Sequence, residues 1–260
     1  MRINAVFLFA FTIILLATAC NKDKDDNNPL PDVDVTAGYM PGTKGMELTY
    51  TITQGDEMGA SSVMKITDVY DSSGYTIAKG MAAAAGIGNP VYIIHNKEKT
   101  VNTVRPVAAY YESLSLAAAQ YDVFTHEEHP YIITIPHSSQ LHAVVFPETV
   151  FTQTHGEKND NGASLVNDYT QTEMTAEIDS IGKITIQLGA FDCVRVHHIR
   201  KTHLHSVATD YDGSQTVVDQ GVEFDEKEWY TPGLGVIKTE ETNMNTGVLT
   251  VTELTKVEKP

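Results

Sequence analysis

The chain has 260 residues, 42% hydrophobic and 20% charged, and its 18 basic side chains against 34 acidic ones give a formal charge of −16. That length suffices for one large core. The acidity, unbroken by any basic stripe, excludes binding to a nucleic-acid backbone and electrostatic adsorption to anionic lipid.

Residues 1–19 read as a signal peptide. Arg2 precedes Phe7–Leu16, which is apolar apart from Thr12, and Ala17, Thr18 and Ala19 lead into Cys20. A charged start, a short apolar run and small residues before a cysteine are the layout of a bacterial lipoprotein signal, with lipid attachment expected at Cys20. The run falls short of the roughly 20 residues that a spanning helix needs. Lys22, Asp23, Lys24, Asp25 and Asp26 follow, and they resemble the export signal of surface-exposed lipoproteins in the Bacteroidetes. The resemblance implies a diacylglycerol/palmitate anchor in the outer membrane with the body at the cell surface, a periplasm-facing body being the alternative. Residues 20–43, rich in Asn, Asp and Lys with Pro29, Pro31 and Pro41, read as the lipidated cysteine and a flexible acidic tether, because ordering them would bury too little.

Residues 44–260 read as a single β domain. Leu48, Tyr50 and Ile52 alternate with threonines, and similar runs follow at 63–69, 75–78, 91–94 and 100–104. Turn residues at Gln54-Gly55, Ser72-Ser73-Gly74 and Asn96-Lys97 separate them at hairpin distances. Pro106–Gln120 carries apolar residues at helical spacing and predicts the one short helix, packed across the sheet. Met81–Gly88 fits helix by its alanines and loop by its glycines. Further strands are predicted at 168–178, 183–188, 191–205, 215–223, 228–230, 236–241 and 248–257, with glycine turns at Asp212-Gly213 and Asn245-Thr246-Gly247. The expected fold is mostly β: a curved antiparallel sheet of about 10–12 strands forming an open half-barrel or a sandwich, with that helix on it.

Catalytic constellations are sparse. His126-Glu127-Glu128-His129 has its histidines three apart instead of four and runs into Pro130, so it reads as an acidic turn, not a zinc helix. His197, His198, His203 and His205 occupy one strand. His203 and His205 share a face about 6.6 Å apart at Cα, which makes them the candidate metal pair, although no acidic residue of that strand completes a site. Cys193, between Phe191 and Val194, reads as a buried inert thiol. His137 with Ser138-Ser139 has neither an orienting base nor an oxyanion turn. The sequence gives no phosphate loop and calls for no cofactor.

Two terminal stretches carry a family resemblance. Gly189-Ala190-Phe191-Asp192-Cys193-Val194-Arg195-Val196, then Trp229-Tyr230-Thr231-Pro232-Gly233-Leu234-Gly235-Val236-Ile237-Lys238, and the opening Lys44-Gly45-Met46-Glu47-Leu48-Thr49-Tyr50 resemble the TapB-like domain family of Bacteroidetes envelope proteins. In that family Phe191, Cys193, Trp229, Pro232, Gly233 and Gly235 fall on structural motif positions. The resemblance implies a half-barrel similar to the lipoprotein carriers and no particular activity. The whole reads as a non-catalytic envelope lipoprotein, joined to the membrane by its anchor, that binds an apolar or amphipathic ligand. The alternative is a structural or interaction subunit of an outer-membrane surface complex for glycan uptake or adhesion.

Overall fold

The structure, a computed structural model, describes residues 38–39, 41–84, 87–104, 122–127, 131–159 and 162–260. Among these residues fifteen antiparallel strands form one sheet, against the 10–12 expected. They are β1 (Glu47–Gln54), β2 (Ser61–Ser72), β3 (Tyr75–Ala84), β4 (Ile87–His95), β5 (Lys99–Val104), β6 (Val123–Glu127), β7 (Tyr131–Pro136) and β8 (Val144–Phe146). β9 (Thr149–Lys158), β10 (Ser164–Glu173), β11 (Ala176–Ile186), β12 (Gly189–Thr209), β13 (Gln215–Thr231), β14 (Gly235–Asn243) and β15 (Leu249–Glu258) complete it.

The strand order is β6-β9-β10-β12-β13-β14-β15-β1-β2-β3-β4-β5-β7, with β11 on β12 and β8 on β11. Successive hairpins account for most of it, and the closing step pairs β15 with β1, Leu48 opposite Val257. Among the described residues the end strands β6 and β7 are not paired with each other, so the sheet is open. Only the residues between Glu127 and Tyr131 join them, which holds those strand ends within about 14 Å. The sheet therefore curves back toward itself as a half-barrel does.

Period-two alternation buries two sets of side chains. Met46, Leu48, Ile66, Ala78, Ile93, Phe191, Cys193, Trp229, Ile237 and Leu254 form one cluster, drawn from β1 to β4 and β12 to β15 and their approaches. Val194, Val196, Tyr230, Ile178, Phe146, Ile133 and Ile135 form a second, where β7 and β8 lie against β11 to β13. Trp229 and Tyr230 point to opposite faces, as strand geometry requires, and both anchor a core. The Pro232-Gly233-Leu234-Gly235 turn has φ of +77° at Gly233 and +80° at Gly235, values that favour glycine, and it buries Leu234.

Several strand predictions need correction. The predicted 168–178 strand is interrupted at Met174-Thr175, and β10 and β11 follow one another along the same edge of β12 with one extra residue between Glu173↔Arg200 and Glu177↔His197. The predicted 183–188 run is the end of β11, and 215–223 and 228–230 are one strand, β13. Residues 81–84 and 87–88 belong to β3 and β4 rather than to a helix or loop. His126 and Glu127 lie in β6 opposite Gln153 and Thr152, not in a turn. The helix predicted at Pro106–Gln120 lies outside the described residues, as do Cys20 and Lys22–Asp26. Gly38 and Tyr39, in the stretch expected to be tether, are buried. The Gly38 carbonyl accepts the Gly233 N–H at 2.6 Å, and a Cβ at Gly38 would strike the His137 ring and the Thr100 hydroxyl. The packed body thus begins by residue 38.

Candidate functional site: the ionic seam along β12

β12 changes neighbours half-way. Its first part pairs with β11 (Ile186↔Gly189 to Glu177↔His197) and its second with β10 (Glu173↔Arg200 to Ser164↔Thr209). β13 pairs along the other edge without a break from Val194↔Tyr230 to Thr209↔Gln215. Where β10 gives way to β11, the Met174 N–H donates to the Ile199 carbonyl at 2.9 Å. Charged side chains gather on both faces around this break.

On the face shared with Val196, His198 is buried between two carboxylates. Its Nε2 lies 3.1 Å from Glu173 Oε2 and 3.2 Å from Glu226 Oε2. Arg200 Nε reaches Glu226 Oε1 at 2.7 Å, and Arg200 Nη2 reaches Glu241 Oε2 at 2.5 Å. Gln171 Nε2 donates to Glu173 Oε1 at 2.6 Å, and the Tyr169 hydroxyl donates to Gln171 Oε1 at 3.0 Å. Phe146 stands edge-on to His198 at 5.1 Å, and Phe224 lies under Arg200 at 4.6 Å.

Burial alone would favour neutral His198, but its bonds to Glu173 and Glu226 win and push the imidazolium up to about 10. Burial would also raise Glu226, yet His198 and Arg200 hold it below the usual carboxylate range. Burial raises Glu241 despite Arg200. The seam thus sets two cations, His198 and Arg200, among three carboxylates, Glu173, Glu226 and Glu241. His198 Nδ1 is buried with no hydrogen-bond partner among the described residues.

The other face carries a second network. A register shift between Ile178 and Ser180 re-aims Asp179, whose carboxylate takes Arg195 Nε and Nη2 at 2.8 and 2.9 Å. His197 Nε2 meets Asp225 Oδ1 at 2.6 Å, and Lys227 Nζ meets Asp225 Oδ2 at 2.6 Å. Arg195 and Lys238 both lie over the Trp229 ring, at 5.6 and 5.1 Å. Beside this second network, Met174, Ile199, Met244, Glu177, Glu223 and Lys201 line an open cleft of about 340 Å³.

His203 and His205 share a face, as strand spacing predicts, and both address Asp219 on β13: His203 Nε2 at 2.5 Å and His205 Nδ1 at 3.5 Å. His203 foremost pulls the Asp219 carboxyl below its ordinary range. No group of three or more His, Cys, Asp or Glu with metal-holding geometry occurs among the described residues. Cys193 is buried, and burial pushes its thiol up to about 11, the opposite of a nucleophilic cysteine. His137 bonds Thr100 Oγ1 at 2.9 Å, while Ser139 Oγ donates to the Pro136 carbonyl at 2.6 Å. The Thr100 hydroxyl is buried and accepts the Tyr39 N–H, so these groups clasp the Tyr39 segment to β5 and β7.

Two solved structures share this architecture. One, a lipoprotein from Parabacteroides distasonis, is 15% identical with a TM-score of 0.56, over 85% of this chain and 98% of that one. The other, an exported protein with YmcC-like fold from Bacteroides fragilis, is 14% identical with a TM-score of 0.50, over the same shares. The likeness is one of fold. No family model matches the chain, and no curated protein does. The TapB-like resemblance therefore rests on the terminal motifs alone.

Proposed function

We propose that this chain is a lipid-anchored, non-catalytic binding protein of the bacterial outer membrane that meets its ligand or partner on the outside of its sheet. Residues 1–19 are a removed signal, Cys20 carries the lipid, Lys22–Asp26 direct export to the cell surface, and a tether leads to one TapB-like β domain. The fold likeness to a Bacteroidetes lipoprotein and a Bacteroidetes exported protein supports this setting.

The observation that carries the reading is the packed cluster on one face of the curved sheet among the described residues. Met46, Leu48, Ile66, Ile93, Trp229 and Leu254 pack that face among themselves, and the buried cations of the seam are held by its own carboxylates. Carriers instead keep a concavity for their cargo. This favours the interaction-subunit alternative over the carrier that the half-barrel suggests. The cleft beside Met174 and Met244 favours a second reading, a small amphipathic ligand held by thioethers under a charged wall.

Metabolic labelling with an alkyne fatty acid, followed by proteinase treatment of intact cells, tests the anchor and its orientation. Wild type should take up label and be degraded from outside. Cys20→Ala should lose the label, and replacement of Lys22–Asp26 by alanines should protect the protein. Label retained in Cys20→Ala contradicts the anchor.

A further inference from the structure

The outer face of β2 to β4 carries a feature that neither network explains. Alternation puts Ala78 and Ile93 into the core at 0% exposure, so their neighbours Lys79 and Tyr92, paired across the strands, face outward. Tyr70 on β2, Tyr75 on β3 and Tyr92 on β4 stand there at 38%, 42% and 41% exposure, far more than a core tyrosine shows. Lys79 lies between two of them, with Nζ 5.2 Å from the Tyr70 ring centre and 5.8 Å from that of Tyr92.

Lys79 makes no close ion pair among the described residues, although Asp68 feels its charge from across the strands. Register places Asp68 opposite Lys79, but Lys44 holds the Asp68 carboxylate at 3.0 Å. Lys65 on the same face pairs with Glu47. Among the described residues no carboxylate lies within ion-pair distance of Lys79. The chain as a whole is at −16, yet this face has one cation in excess, set among aromatic rings.

We propose that Tyr70, Tyr92 and Lys79, with Tyr75 at the margin, form a binding platform for an acidic, uronate-bearing oligosaccharide. β2 and β4 are two strand spacings apart, about 9.6 Å, which is the reach of two linked pyranose rings. The C–H faces of the sugars stack on the tyrosine rings, the phenol hydroxyls bond the sugar hydroxyls, and Lys79 receives the carboxylate. Paired strands hold the backbone under the rings in place, so little order is lost on binding. Ile77 and Ile94 share this face beside the rings, but a protein partner fits less well, because Asp68 and Lys79 stand at its centre and charged residues are depleted at the centre of protein interfaces. The inference deepens the surface-binding reading given above and names its ligand class.

The test titrates the full chain in detergent with hexagalacturonate, maltohexaose and hexaglutamate. Hexagalacturonate should bind saturably and weaken with added salt, whereas maltohexaose should bind less tightly. Tyr70→Ala and Tyr92→Ala should each lower affinity about tenfold. Lys79→Met keeps the stem between the rings and should abolish the preference for the uronate over the neutral sugar. Tyr211→Ala, in the distal turn, should change nothing. Should an alanine variant fail to fold, Tyr92→Leu retains the bulk and loses the ring. Absence of saturable hexagalacturonate binding, equal affinity for hexaglutamate, or binding indifferent to Tyr70, Tyr92 and Lys79 would overturn the inference. None of these outcomes bears on lipid labelling at Cys20, and loss of that labelling leaves the titration unaffected.

Discussion

The β12 seam and the β2–β4 outer face handle positive charge in opposite ways. In the seam, Arg200 has two carboxylates and buried His198 has two. On the outer face, Lys79 has two aromatic rings and no carboxylate within reach among the described residues. Buried charges must be matched because desolvation is costly, whereas a half-exposed ammonium on aromatic faces stays hydrated enough to wait for a ligand. The difference separates charge that holds the fold from charge available for recognition.

Removing one seam partner should have the largest effect. Glu226→Ala leaves His198 and Arg200 buried with a shared carboxylate gone, and stability should fall by about 3–5 kcal/mol, read as a lower urea midpoint. A loss under about 1 kcal/mol would mean that the seam is no lock.

The pH dependence follows with a definite sign. His198 has a folded pKa of about 10 against about 6.5 unfolded. Its contribution is complete below about pH 6.5 and is lost as pH rises toward 10, a decline of up to a few kcal/mol in urea titrations. His198→Gln should flatten that decline. A wild-type curve flat from pH 6.5 to 10 would contradict the cationic His198.

The Cys193 thiol, pushed up to about 11 by burial, should react with an aromatic disulfide reagent at pH 8 only at the rate of unfolding. Fast native labelling would show an accessible thiolate. The smallest effect belongs to the outer face: Lys79→Met should move stability by no more than about 0.5 kcal/mol. A larger loss would make Lys79 structural and blur the contrast with the seam.

Much of the fold was legible because alternation survives wherever one face is buried. β1, β12 and β15 read correctly from β-branched and aromatic residues at every second position. β13 read as two strands because Phe224-Asp225-Glu226-Lys227 has charged groups on both faces, an alternation that ion pairing creates and hydropathy does not record. The break at Met174-Thr175 inserts one extra residue without glycine or proline and without a change of direction, so β10 and β11 read as one strand. β8 has three residues, too few for any period.

The site was legible only along the strand. His203 and His205 were correctly assigned to one face, but Asp219 was out of sight because cross-strand register brings it to them. Glu173 and Glu226 reach His198 the same way, from β10 and β13. The one available signal was compositional: Arg200 and His198 one turn-free step apart, with Glu223, Glu226 and Glu228 on the strand that follows. The tyrosine platform gave no signal either, since its members are neighbours only after β2, β3 and β4 pair.

Native mass spectrometry of the full chain, ejected from detergent micelles and compared with the denatured protein, tests the central claim most directly. A packed inner face and a surface-acting protein predict the same mass in both states, that of the chain with its covalent lipid. A small apolar molecule retained in the native state and lost on denaturation would contradict the claim and restore the carrier.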